Sequence, residues 1–185
     1  RHKIIPVVAI QDAADALSLA DALIQGGLPC AEITFRTAAA PEAIKAIAQR
    51  DDMLVGAGTV LSVDQVKQAM DAGATFIVSP GFNPKVVAYC VENHIAITPG
   101  VSNPTDIEMG LEFGLEVLKF FPAEAFGGLK TLKAMSAPYT MMQFIPTGGI
   151  GPGRRSPGHH RRPAIRHPGR SGHLPATTQS GFPHH

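Results

Sequence analysis

Val117-Leu118-Lys119-Phe120-Phe121-Pro122-Ala123-Glu124 places a lysine inside a run that is otherwise apolar. Residues 116–121 read as a short buried strand, and Pro122 ends it because proline cannot continue a ladder. Side chains along a strand alternate between two faces, so Leu118 and Phe120 share one and Val117, Lys119 and Phe121 the other. A lysine among such neighbours loses hydration, which disfavours its charged form and lowers its pKa. A neutral amine is the nucleophile that condenses with a ketone to a Schiff base. The competing reading is a lysine at a strand end that snorkels to water or pairs with a carboxylate. The rest of the chain decides between them.

The 185 residues suit one domain with a sizeable core, and 44% hydrophobic residues with 19 Gly and no Trp suit an α/β protein. Cys30 and Cys90 match no metal or redox spacing and read as small buried hydrophobes in a reducing compartment. Arg1-His2-Lys3 precedes an apolar run at 4–10, but that run contains Pro6 and meets Gln11-Asp12 with no small-residue cleavage site. No run approaches the roughly 20 apolar residues of a membrane span. A cytoplasmic protein is expected.

The net charge of +1 hides a division. Residues 1–150 carry all fifteen acids against ten Lys or Arg, a net −5, while 151–185 carry six Arg and no acid, a net +6. Up to residue 150, short apolar runs alternate with amphipathic stretches. Strands are expected at 4–10, 30–36, 53–60, 75–79, 95–98, 116–121 and 143–147, with helices at 12–25, 41–50, 62–72, 84–93, 104–113 and 128–137. Strands recurring about every 20 residues, each followed by a helix, imply right-handed crossovers and a parallel sheet. Ser79-Pro80-Gly81, Thr98-Pro99-Gly100 and Pro146-Thr147-Gly148-Gly149 end three strands in related turns. That regularity favours a (β/α)8 TIM barrel over a doubly wound sheet, and no GxGxxG follows the first strand to support a dinucleotide fold.

In the second strand Glu32, Thr34 and Arg36 alternate with Ala31, Ile33 and Phe35. The apolar set must face the outer helices, which turns Glu, Thr and Arg into the barrel. Barrel interiors are normally packed with Val, Ile and Leu, and buried charges persist only when paired or used. An internal salt bridge between Glu32 and Lys119 is the structural alternative. Charged residues brought from different strands toward their carboxyl ends are, however, how this architecture builds active sites. Thr59 ends the third strand at the same rim, where its hydroxyl could bind a carboxylate. Gly148-Gly149 would bring backbone N–H groups close to an anion, unless that segment is an ordinary turn.

Glu32-Ile33-Thr34-Phe35-Arg36-Thr37, Gly56-Ala57-Gly58-Thr59-Val60, Lys119-Phe120-Phe121-Pro122-Ala123-Glu124 and Pro146-Thr147-Gly148-Gly149-Ile150 occur in order at fitting spacings. Together they closely resemble the bacterial 2-keto-3-deoxy-6-phosphogluconate (KDPG) aldolases, whose members often also cleave 4-hydroxy-2-oxoglutarate. The resemblance covers residues 3–150. It implies that Lys119 forms the Schiff base with the substrate keto carbon and that Glu32 is the general acid/base. It further implies that Arg36 and Thr59 hold the pyruvate carboxylate, that Phe121 packs beside the pyruvyl group, and that Thr147, Gly148 and Gly149 line the phosphate side. The substrate would be a phosphorylated keto acid, with no metal or other cofactor, and the assembly a homotrimer.

The pattern stops after Ile150-Gly151-Pro152. In place of the family's last helices and an eighth strand ending in Gly-Gly-Ser comes a segment rich in Arg, Pro, Gly and His with no helical or strand period. Two regions are therefore expected: a truncated barrel at 1–150 and a disordered tail at 151–185. Out-of-frame translation of a GC-rich gene would account for such a tail. Strands one and seven would then keep open edges, and half of the phosphate site would be missing. Arg pairs and His-His pairs in the tail could attract nucleic acid or metal ions. The tail lacks aromatic stacking residues and regular zinc spacing, so no specific nucleic-acid partner is expected. Another phosphate-binding barrel, an epimerase or synthase, would share the fold without needing Lys119. A metal-dependent aldolase is disfavoured, since residues 1–150 hold only His2 and His94.

Overall fold

The helix starts are written into the sequence and form as the capping residues dictate. In the computed structural model, which describes residues 4–149, the Ser62 hydroxyl accepts from Gln65 N at 3.2 Å, Asn83 from Lys85 N at 3.1 Å, and Asn103 from Asp106 N at 3.0 Å. Each satisfies an N–H that the first helical turn leaves unpaired. The helices are α1 (Ala16–Gln25), α2 (Ala40–Ala48), α3 (Val63–Asp71), α4 (Pro84–Glu92), α5 (Pro104–Glu112) and α6 (Gly128–Ser136). A single 3-10 turn, Ala13–Asp15, leads into α1 with Asp12 accepting from Ala14 N at 2.9 Å. Arg1-His2-Lys3, Ile150 and the basic segment 151–185 lie outside the described residues, as do the expectations attached to that segment.

Between the helices run β1 (Val7–Val8), β2 (Cys30–Thr34), β3 (Leu54–Gly58), β4 (Ile77–Val78), β5 (Ile97–Thr98), β6 (Gly100–Val101), β7 (Val117–Phe120) and β8 (Gln143–Pro146). Every pairing is parallel, in two sheets ordered β1-β2-β3-β4-β5 and β6-β7-β8. The division falls at Pro99, where one strand of the wall changes partner. β5 pairs with β4, β6 pairs with β7, and the Pro99 carbonyl between them accepts from Lys119 N at 2.9 Å. β5 and β6 are thus two halves of one position, and among the described residues the wall has seven positions in a TIM-barrel type arrangement that does not close. Among the described residues β1 pairs only with β2 and β8 only with β7.

Several strands are shorter than their sequence suggests. The expected strand 4–10 reduces to Val7–Val8 because Pro6 has no N–H to donate. The segment before it still follows β2: the Pro6 carbonyl accepts from Glu32 N at 2.8 Å, and the Ile4 carbonyl from the Cys30 thiol at 3.3 Å. The strand expected at 30–36 ends at Thr34, so Phe35 and Arg36 occupy the turn that follows.

Alternation sorts the wall as the sequence requires. Ala31, Ile33, Ala57 and Ile77 face outward and join Ile44, Ile47, Val66 and Val87 of the helices in one core. Leu118 and Val101 meet Ile107 and Met142 in a second. Burying an Ile or Leu side chain contributes roughly 1.5–3 kcal/mol, so these outward faces hold the helices on the wall. Cys30 and Cys90 are free and buried, Cys90 within the first core, and burial pushes the Cys90 thiol up to about 11. No helix among the described residues is long and apolar enough to cross a membrane.

The partner change at Pro99 depends on Gly100. A Cβ there would collide with the carbonyl of Pro80. Gly100→Ala is expected to lower the urea midpoint by an amount equivalent to about 1–3 kcal/mol, the usual cost of forcing atoms into packed structure. An unchanged midpoint would show that this approach is slack.

Candidate active site

The inner face of the wall carries Glu32 and Thr34 from β2, Gly56 and Gly58 from β3, and Lys119 from β7. This follows from register, since Glu32 pairs with Gly56, Thr34 with Gly58, and Lys119 with both Gly100 and Ile145. Glu32, Thr34 and Lys119 are all buried, with Lys119 only 7% exposed. The glycines provide the room. A Cβ on Gly58 would fall on the carboxyl group of Glu32, and a Cβ on Gly56 on the ring of Phe76. The Glu32 side chain therefore leans two residues beyond its register partner toward the carboxyl ends of the strands, over Gly58.

That lean brings Glu32 Oε1 to 3.7 Å from Lys119 Nζ. The separation is that of an ion pair, beyond direct hydrogen-bond reach. Burial dominates both ionisations. It pushes the Glu32 carboxyl up against the opposing pull of Lys119 and, more weakly, of Arg36. It pushes the Lys119 amine down, with Glu32 resisting and the Arg36 charge adding to the shift. Desolvation disfavours the charged form of an acid and of a base alike, so each group moves toward neutrality. The salt-bridge alternative describes where the two groups sit but not which charge state burial favours. The Phe121 ring, its centroid 5.2 Å from Nζ, closes another side of the amine.

The remaining predicted residues lie around this pair. Arg36 is exposed in the turn after β2, a correction to its expected place on the inner face. The last ladder bond, from Phe35 N to the Gly58 carbonyl at 2.8 Å, comes just before it. The Thr37 hydroxyl then donates to the Ile10 carbonyl at 2.6 Å and draws the chain toward the amino-terminal segment. Among the described residues the Arg36 guanidinium has no carboxylate or hydrogen-bond partner. Thr59 follows Gly58 directly and is half-buried with φ 47°, a left-handed conformation that costs a β-branched residue energy and often occurs at functional sites.

Thr147, Gly148 and Gly149 are tied by their backbone to the segment that follows Lys119. Ala123 N donates to the Thr147 carbonyl at 2.8 Å, Glu124 N to the Gly148 carbonyl at 3.0 Å, and Thr147 N to the Phe120 carbonyl at 2.9 Å. Gly148 and Gly149 both have positive φ, and a Cβ on Gly149 would strike the Glu124 side chain. This turn consequently requires glycine, and it lies beside Phe121. The structure thus brings Glu32, Lys119 and Phe121 together, sets Arg36 and Thr59 beside them, and joins the glycine pair to the same rim. Gly58 belongs to the Gly56-Ala57-Gly58-Thr59-Val60 motif, and the linear sequence alone assigns it no role. The available signal was that Gly56 and Gly58 alternate in phase with each other on a strand next to the acidic one.

The KDPG and KHG aldolase family model matches residues 1–173. The chain belongs to that family. This aldolase is 55% identical over 151 residues to the 2-dehydro-3-deoxy-phosphogluconate aldolase of Treponema pallidum, an alignment covering 81% of the chain and 72% of that relative. It is 43% identical over 173 residues to the enzyme of the same name from Zymomonas mobilis, covering 94% of the chain and 83% of that relative. Among solved structures it resembles the KDPG aldolase of Legionella pneumophila with pyruvate captured as a covalent carbinolamine intermediate. The identity there is 41% and the TM-score 0.76, with 79% of the chain and 71% of that structure covered.

Gly58→Ala tests the steric basis of the Glu32–Lys119 approach. The added methyl would occupy the carboxyl position, so a crystal structure of the variant should show Glu32 displaced and the 3.7 Å separation lost. A carboxyl group still beside Nζ would show that Gly58 is not what positions it.

Proposed function

We propose that this chain is a class I aldolase that cleaves KDPG reversibly to pyruvate and glyceraldehyde 3-phosphate, through an imine at Lys119. One observation carries the reading: a buried amine, moved by burial toward its neutral form, 3.7 Å from a carboxyl group that burial moves toward protonation. The captured carbinolamine of the Legionella relative supports the same chemistry. So do the family name, which pairs KDPG with KHG, and the fold, which opens at the carboxyl ends of the strands. Cleavage of 4-hydroxy-2-oxoglutarate to pyruvate and glyoxylate would need the same imine and is proposed as a second activity.

The roles follow from position. Neutral Lys119 attacks the C2 ketone, and protonated Glu32 donates to the departing hydroxyl, leaving an iminium and a carboxylate. The Glu32 carboxylate then takes the proton of the C4 hydroxyl. The C3–C4 bond breaks, its electron pair passes into the iminium as an enamine, and the aldehyde leaves. Protonation of C3 and hydrolysis release pyruvate and restore the amine. The iminium serves as the electron sink, so the reaction as proposed requires no metal. Arg36, without a partner among the described residues, and Thr59 hold the pyruvate carboxylate, for which a guanidinium offers two parallel hydrogen bonds. Phe121 covers the pyruvyl group, and Thr147 with the Gly148-Gly149 backbone lines the phosphate side. The chain is proposed to act in the cytoplasm and to assemble as a homotrimer on the strength of the family resemblance.

Incubation with pyruvate and borohydride, followed by intact-mass analysis and peptide mapping, tests the reading. A single pyruvyl adduct on Lys119 is expected, and none with Lys119→Met. An adduct elsewhere, or none in the unsubstituted chain, would refute imine chemistry here. Glu32→Gln should slow trapping by about 10²–10⁴-fold, the usual contribution of a positioned acid/base. The rate of trapping should be bell-shaped in pH, because the reactive form pairs a neutral amine with a protonated carboxyl group. Burial lowers the one pKa and raises the other, so both limbs should fall between the ordinary values of about 4.3 and 10.4.

A further inference from the structure

Thr34 is completely buried on the inner face of β2, and among the described residues its Oγ1 is the buried side-chain polar atom without a hydrogen-bond partner. A buried hydroxyl with no partner is costly, so native folds match such a group with a side chain, the backbone, water or a ligand. Its surroundings narrow the choice. Thr34 is the register partner of Gly58, and the Glu32 carboxyl occupies the space where a Gly58 side chain would begin. Adjacent parallel strands lie about 4.8 Å apart, so the Thr34 side chain and the Glu32 carboxyl are side by side at one level of the barrel. They are not hydrogen-bonded to each other. Two hydrogen bonds of roughly 2.8 Å through one bridging water span such a gap. Glu32 is also the group that faces Lys119 Nζ.

We infer that Thr34 is a positioning residue, whose hydroxyl holds the reacting water beside Glu32 on the side facing Lys119. The inference rests on the imine reading above and adds a residue that reading does not use. In the forward direction the carbinolamine C–O bond breaks and protonated Glu32 supplies the proton. The products are the iminium, a Glu32 carboxylate and one water molecule. That water donates to the carboxylate and accepts from the Thr34 hydroxyl. In hydrolysis the same water adds to the iminium carbon and returns its proton to Glu32. Glu32 acts on the water, and Thr34 orients it.

The test compares Thr34→Val, which preserves shape and removes the hydroxyl, with Thr34→Ser and Thr34→Ala. Borohydride trapping of pyruvate and steady-state cleavage are measured on each, together with thermal melting. The expected result is a kcat lowered about tenfold in Thr34→Val and Thr34→Ala with KM nearly unchanged. Imine formation should slow in parallel, and Thr34→Ser should recover most of the loss. Thr34→Val should melt no lower than the unsubstituted chain, because it deletes an unpartnered polar atom. Unchanged kinetics in Thr34→Val, or a loss that Thr34→Ser does not recover, would overturn the inference while the unsubstituted chain still traps pyruvate. Failure of the unsubstituted chain to trap pyruvate would overturn the imine reading and this inference together.

Discussion

The structure depends on a charged pair placed where a barrel ordinarily keeps hydrocarbon. Bringing Lys119 and Glu32 into the interior removes both from water, and a separation of 3.7 Å returns only part of that cost. The pair lowers the cost by moving toward its neutral forms, and the proposed imine chemistry uses that response. An amine without its proton is a nucleophile, and a carboxyl group with one is an acid. The same desolvation that makes this region energetically unfavourable supplies both properties, so stability is given up where chemistry is gained.

The surrounding wall is arranged to tolerate that pair. Gly56 and Gly58 clear one flank, Gly100 allows the chain to change partner beside Lys119, and the Phe121 ring covers the amine. Stability comes instead from the opposite faces of the same strands. Ile33, Ala57, Ile77 and Leu118 point outward into helices whose ends are capped by Asp12, Ser62, Asn83 and Asn103. Each strand thus serves two ends, and the two-residue period keeps them separate. The wall nonetheless has unpaired edges at β1 and β8 among the described residues, so geometry near β8 is held chiefly by β7 and the backbone bonds to residues 121–124.

Much of this was legible in the linear chain because the relevant signals are local. Alternation in 30–36 and 116–121 assigned Glu32, Thr34 and Lys119 to the inner face. Capping residues and prolines marked the starts of α2 to α5 to within a residue, whereas the helix expected from residue 12 opens as a 3-10 turn and becomes α1 only at Ala16. The seven wall positions followed from the spacing of the apolar runs. Arg36 was read one alternation too far, because nothing in the run Glu-Ile-Thr-Phe-Arg-Thr shows that the Thr37 hydroxyl binds Ile10 and turns the chain away. The strand at 95–98 was read as one element, since a change of hydrogen-bonding partner at Pro99 leaves no mark on its own residues.

The sequence by itself determined the repeating strand and helix units, the sorting of side chains between core and interior, and the family to which the chain belongs. All of these follow from periods of two or 3.6 residues and from four motifs in order. Only the tertiary structure decided that Glu32 leans over Gly58 to meet Lys119, that Thr34 lies alongside with no partner among the described residues, and that Arg36 sits in the turn beyond the strand. Those facts depend on register between strands far apart in the chain. Register is settled when whole faces pack together, after every local preference has been met.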